Sequence, residues 1–65
     1  MPATSVYGIH IGDAFKDADG EVFTVLEFIT PTGPHIKWKA KVKTDQMVDP
    51  LIIEVENLEI WEKVS

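Results

Sequence analysis

Lys37, Lys39, Lys41 and Lys43 occupy every second position between His35 and Thr44, with Ile36, Trp38, Ala40 and Val42 between them. A period of two puts the ammonium groups on one face of a strand and the apolar side chains on the other. A cationic strip beside a tryptophan is a means of binding nucleic acid, by neutralising phosphates and stacking bases. Trp38 has the opposite parity, however, and points away from the lysines. The chain holds 6 basic residues, all of them Lys, against 11 acidic ones, for a formal net charge of -5. Without Arg, planar bidentate recognition of phosphate is unavailable. Glu54 and Glu56, followed by Glu59 and Glu62, can stand opposite the lysines across an antiparallel ladder. Each such pair contributes about 0.2–1 kcal/mol. The row therefore reads first as a solvated, ion-paired face. A nucleic-acid strip and a contact with an acidic protein are the alternatives.

Other residue types offer less chemistry. Asp17-x-Asp19-Gly20 has the look of a calcium loop, but counting from Gly20 puts Phe15 first and Leu26 twelfth, and neither has a ligating side chain. The same residues make a good hairpin turn, because Asp-Gly accepts the positive φ of a type I′ loop. His10 and His35 are the only imidazoles, and no Cys accompanies them. A zinc site needs three or four ligands at set spacings. Ser5 and Ser65 stand near the chain ends, where a nucleophile is poorly held. There is no Gly-rich phosphate loop. The expectation is no catalytic residue, no metal and no cofactor.

These residues must be carried by a small scaffold. With 65 residues and 7.3 kDa, the chain has room for one domain. No apolar run reaches the roughly 20 residues of a membrane helix, and Met1 to Tyr7 lacks a signal-peptide pattern. The expected location is the cytoplasm, with no membrane contact. Residues 1–8 read as a flexible lead and 9–65 as the domain. Strands are expected at Ile11–Lys16, Glu21–Thr30, His35–Thr44 and Leu51–Glu56. Asn57–Glu59 is expected to form a 3₁₀ turn and Ile60–Val64 a short last strand; a helix over Glu54–Lys63, with Val55, Leu58 and Trp61 at i, i+3 and i+6, is the alternative, which the β-branched run at its start disfavours. Turns fall at Asp17–Gly20 and Pro31–Pro34. The expected core is Phe15, Val22, Leu26, Phe28, Ile36, Trp38, Ala40, Val42, Leu51, Ile53, Val55, Leu58 and Val64.

Two segments give these strands a wider context. Ile11-Gly12-Asp13-Ala14-Phe15 resembles the Gly-Asp start of the first strand in SH3-like barrels. Ile53-Glu54-Val55-Glu56-Asn57-Leu58-Glu59 resembles their ending, a strand that runs into a 3₁₀ turn before a last short strand. The resemblance covers about residues 9 to 64 and implies an all-β fold, a five-stranded antiparallel SH3-like small barrel. That superfold hosts KOW and Tudor modules, peptide binders, and small plasmid, phage and gene-cassette proteins, so it does not decide activity.

The surface decides more. The Glu21–Thr30 strand is apolar on both sides, with Val22, Leu26 and Phe28 on one and Phe23, Val25 and Ile29 on the other. Either the strand curls, so that each end buries a different face, or one face meets a partner. Ile60 and Trp61 point opposite ways in a strand, so one of them is outward or lies under Val6 and Tyr7. The candidate protein interface is Trp61, Ile60, Phe23, Val25 and Ile29, with carboxylates at Glu54, Glu56, Glu59 and Glu62. So small a core gains from self-association, and a two-fold homodimer or higher homo-oligomer is expected. A chain opening at Met1 without a linker is expected to stand alone. The function expected is that of a non-enzymatic accessory protein that binds another protein, such as a phage, plasmid or cassette modulator of a host protein. One alternative is a nucleic-acid module using Lys37, Lys39, Lys41 and Lys43, which the net charge disfavours. A second is an oligomeric enzyme, since the chain is similar in length and ending to the SH3-like plasmid dihydrofolate reductases. Their Gln-Ile-Tyr run is missing, and Glu56-Asn57-Leu58 stands in that region.

Overall fold

The alternation in residues 39–43 and the β-branched run in residues 22–29 give the two central strands of a sheet. The computed structural model describes residues 5–64. In chain order the elements are β1 (Ser5–Val6), β2 (Ile9–His10), β3 (Ala14–Lys16), β4 (Val22–Ile29), β5 (Lys39–Lys43), β6 (Leu51–Glu54), α1 (Val55–Glu59) and β7 (Glu62–Lys63). Five strands form one antiparallel sheet in the order β6-β5-β4-β3-β7, and β1 and β2 form a separate hairpin. The sheet is open, not a closed barrel: β6 and β7 are its two edges.

The all-β expectation with five antiparallel strands matches this architecture, with shorter strands at most ends. Residues 11–13 turn instead of extending. Residues 35–38 also stay outside β5, because Pro31, Pro34 and Gly33 interrupt regular pairing just before them. The expected 3₁₀ turn is a short α-helix, and it begins at Val55, where the strand was expected to continue. Val55 leaves β6 with its N–H donated to the Trp38 carbonyl at 3.0 Å. Val55 and Leu58 lie three apart on one helical face and are both fully buried.

The lead was also expected to be unstructured through residue 8. Instead Ser5 pairs with His10 and Val6 with Ile9. Tyr7 and Gly8 connect them with φ of 54° and 79°, the two positive values of a type I′ loop. Residues 1–4 of the lead, like Ser65, lie outside the described residues. The Asp17–Gly20 hairpin turn forms, but not as type I′, since only Gly20 has positive φ there. The Asp17 carboxylate accepts the N–H groups of Asp19 (3.0 Å) and Glu21 (2.9 Å). That holds a three-residue loop in which Gly20 alone takes the left-handed conformation.

The core comprises Val6, Ile9, Phe15, Phe23, Val25, Phe28, Ala40, Val42, Val55 and Leu58, with Trp38, Met47, Ile53 and Trp61 packed half-buried against it. Phe15, Phe28, Ala40, Val42, Val55 and Leu58 are thus inside as expected. Val22 and Leu26 are not: they are 46% and 42% exposed, whereas Val25 is 1% exposed. The cause is a β-bulge. Val25 pairs with Val42 and Glu27 with Lys41, so Leu26 is an extra residue and inward parity changes across it. The inward residues of β4 are Phe23 and Val25 before the bulge and Phe28 after it. Ile36, Leu51 and Val64, also expected inside, are exposed at the loop, the edge and the C-terminal end.

Candidate binding groove

Trp61 follows α1 directly, and its N–H donates to the Leu58 carbonyl at 3.2 Å. This bond closes the helix and turns the chain back toward β3. The indole packs on the Phe23 ring with centroids 5.2 Å apart and planes tilted by 38°. Phe23 is itself buried, so the tryptophan is seated on the core. Its neighbour Ile60 is 81% exposed. Both border an open groove of about 400 Å³, together with Lys16, Asp17, Ala18 and Glu62. Lys16 and Glu62 are ladder partners across β3 and β7 and form an ion pair at 3.1 Å. The groove therefore has an aromatic wall, an exposed aliphatic side chain and the Asp17 carboxylate.

The other interface candidates are dispersed. Phe23 and Val25 belong to the interior because of the bulge, so they offer no surface to a partner. Ile29 is half-buried on the outer face beside Lys39. The four glutamates have different settings. Glu54 is the ladder partner of Lys39. Glu56 accepts a hydrogen bond from the Lys37 ammonium at 2.9 Å, and that contact raises the Lys37 pKa above the ordinary lysine value. Glu62 is held by Lys16, and Glu59 is exposed at the last residue of α1.

The lysine row is likewise divided. Lys39, Lys41 and Lys43 share the outer face of β5, and Lys41 faces Glu27 of β4 at 3.8 Å. Lys37 lies outside the strand, tied to Glu56. Trp38 packs against the core, away from the lysines. Among the described residues, Lys39 and Lys43 have no carboxylate within 4.0 Å. His10 and His35 are both exposed. His10 donates its backbone N–H to Asp13 at 2.9 Å, and Lys63 approaches the same carboxylate at 3.4 Å. The His10 hydrogen bond first, and then Lys63, hold the Asp13 pKa below the ordinary carboxylate value. Among the described residues no group of three His, Cys, Asp or Glu is placed to hold a metal ion.

The sequence reading missed where the unpaired acid lies. Asp17, Asp19 and Glu21 sit on the β3–β4 turn, and Asp45 and Asp49 on the β5–β6 loop. Both connections are at one end of the sheet, where Thr24 pairs with Lys43 and a second groove joins Glu21 and Val22 to Thr44, Asp45 and Gln46. The signal was present, because alternate connections in an antiparallel meander fall at the same end. Asp17 belongs both to this acidic end and to the Trp61 groove. No protein-family model, no curated protein and no solved structure matches the chain.

Proposed function

We propose that the chain is a non-enzymatic binding module that grips a basic segment of another protein in the Trp61–Ile60 groove, on an open sheet of SH3-like topology. The strand order β7-β3-β4-β5-β6 and the short helical turn before β7 support the SH3-like assignment. The observation that carries the function is the seating of Trp61. Its ring is fixed on Phe23, borders an open groove and stands beside an exposed isoleucine. Aromatic anchors of this kind supply much of the affinity in protein interfaces. Among the described residues, no lysine comes within 4.0 Å of the carboxylates at the neighbouring end of the sheet, and these would speed encounter with a positively charged partner.

The test is titration with short Lys/Arg-rich peptides that carry one aliphatic anchor, read through tryptophan fluorescence. Ile60→Ser should weaken binding about tenfold or more with the melting temperature unchanged, as the loss of one buried aliphatic anchor predicts. Asp17→Asn would also disturb its turn, so Asp19→Lys with Asp45→Lys is the better charge variant and should chiefly slow association. No peptide binding, together with oligonucleotide binding whose log–log salt slope is about -2 or steeper, would replace this reading with the nucleic-acid one.

A further inference from the structure

The two edges of the sheet are built differently. β7 has two residues, both charged, and each is engaged by its neighbourhood: Glu62 by Lys16 and Lys63 by Asp13. Short, charged edges resist pairing with another chain. β6 lacks that protection. Leu51-Ile52-Ile53 is apolar throughout, Glu54 is its only charge, and Leu51 and Ile52 are 44% and 51% exposed. Among the described residues no strand pairs with its far side.

We propose that β6 pairs with β6 of a second copy, antiparallel about a two-fold axis normal to the sheet, so that the two five-stranded sheets become one. Parity favours a second copy as the occupant. Leu51 and Ile53 share the core face with their ladder partners Val42 and Ala40, whereas Ile52 shares the outer face with Lys41. A register centred on Ile52 keeps like faces together and sets Leu51 against the partner's Ile53 twice. The inner apolar row, which ends exposed at Leu51, then continues into the row of the other copy. Charge favours the same register. The two Glu54 carboxylates fall four residues apart along the ladder, about 13 Å, beyond a Debye length of about 8 Å. A register centred on Ile53 would need Val55, which is helical and fully buried. Pro50 has no N–H and ends the ladder opposite the partner's Glu54. One patch serves both copies, as an isologous contact requires. Neither Trp61 nor its groove takes part, so this contact and the binding function can fail separately.

Sedimentation of the full chain at tens of micromolar should give a species of twice the 7.3 kDa chain mass. Ile52→Lys alters a side chain that already meets solvent, and should give monomer with an unchanged circular dichroism spectrum. The chain has no cysteine, so Ile52→Cys is a single probe. Directly opposite residues have Cα atoms about 4.5–5.5 Å apart, within the range of about 4.4–6.8 Å that a disulfide spans. Mild oxidation should therefore convert most Ile52→Cys protein to a covalent dimer. Thr24→Cys, on the same face in the middle of the sheet, should stay uncoupled. A monomeric natural chain, a dimer that survives Ile52→Lys, or cross-linking of Ile52→Cys no greater than of Thr24→Cys would each overturn the proposal.

Discussion

β4 and β5 run side by side in the centre of the sheet, and they fix their faces by different means. β5 alternates Lys39, Ala40, Lys41, Val42, Lys43, so only one orientation buries its apolar residues. β4 reads Val-Phe-Thr-Val-Leu-Glu-Phe-Ile and has apolar residues of both parities. A single straight strand would leave Phe23 and Val25 or else Phe28 outside. The extra residue at Leu26 resolves the conflict by placing all three inside. Alternation thus makes a face unambiguous, whereas a doubly apolar strand needs an irregularity to choose.

Deletions provide the strongest test of that contrast. Removing Lys41 shifts β5 by one position and turns the residues on one side of the deletion to the wrong face, so the chain should not fold. Removing Leu26 leaves Phe23, Val25 and Phe28 in a single regular parity. Its cost should fall within the ordinary range for single changes, about 0.5–3 kcal/mol. Urea denaturation followed by circular dichroism checks both. Equal loss of structure in the two deletions would break the bulge account.

Phe23→Ala is the next largest effect. Truncating a buried phenylalanine costs about 3–5 kcal/mol, against about 5 kcal/mol of total stability at the low end for folded domains. The variant should be largely unfolded at room temperature, and it also removes the support of Trp61. Val22→Ala, one residue away on the outer face, should cost under about 1 kcal/mol, because half of that side chain already meets water. A Val22→Ala penalty matching that of Phe23→Ala would invert the face assignment.

The same contrast explains what the sequence disclosed. The alternation of β5 located Ala40 and Val42 in the core without help, and Phe15, Phe28, Val55 and Leu58 were likewise legible. Phe23 and Val25 were not, because nothing in a run of apolar residues marks which one bulges. The β1–β2 hairpin was hidden for another reason: Tyr7 takes a positive φ that its residue type does not advertise. The helix at Val55 was legible only as the alternative to a strand, because strand-forming neighbours precede it and its stability comes from burying Val55 and Leu58. Trp61 and Ile60 stood out as large apolar side chains of opposite parity. That they border a groove with Asp17 depends on β7 pairing with β3, a long-range contact that local spacing does not reveal.

Electrostatic links across β4 and β5 should matter less. Glu27 and Lys41 are the ladder partners that follow the bulge, with both side chains partly exposed and charged atoms 3.8 Å apart. A double-mutant cycle with Glu27→Gln and Lys41→Met should give a coupling of about 0.2–1 kcal/mol that shrinks in high salt. In a Leu26 deletion the strands pair without the kink, so the coupling should grow. A coupling insensitive to both salt and the deletion would mean that the bulge does not set this pair.

The smallest effects are those of pH, and they separate the lysine inside the ladder from the one beyond it. Lys37 lies outside β5, and its hydrogen bond to Glu56 raises its pKa in the folded chain. A raised pKa means that the folded state holds the proton more tightly. The associated stability is complete below the ordinary lysine value and disappears as pH rises through the folded one. Asp13 has the opposite sign. The His10 N–H and the Lys63 ammonium lower its pKa, so its contribution is complete above the ordinary carboxylate value and fades as pH falls through the lowered one. Melting temperature against pH should therefore show a weak alkaline loss that Lys37→Met removes and a weak acid loss that Asp13→Asn removes. Both groups meet solvent, so each loss should be small and sensitive to salt. An alkaline loss that survives Lys37→Met but disappears in Lys41→Met would move the dominant ion pair from the loop into the ladder, making β5 the source of the lysine row's contribution to stability.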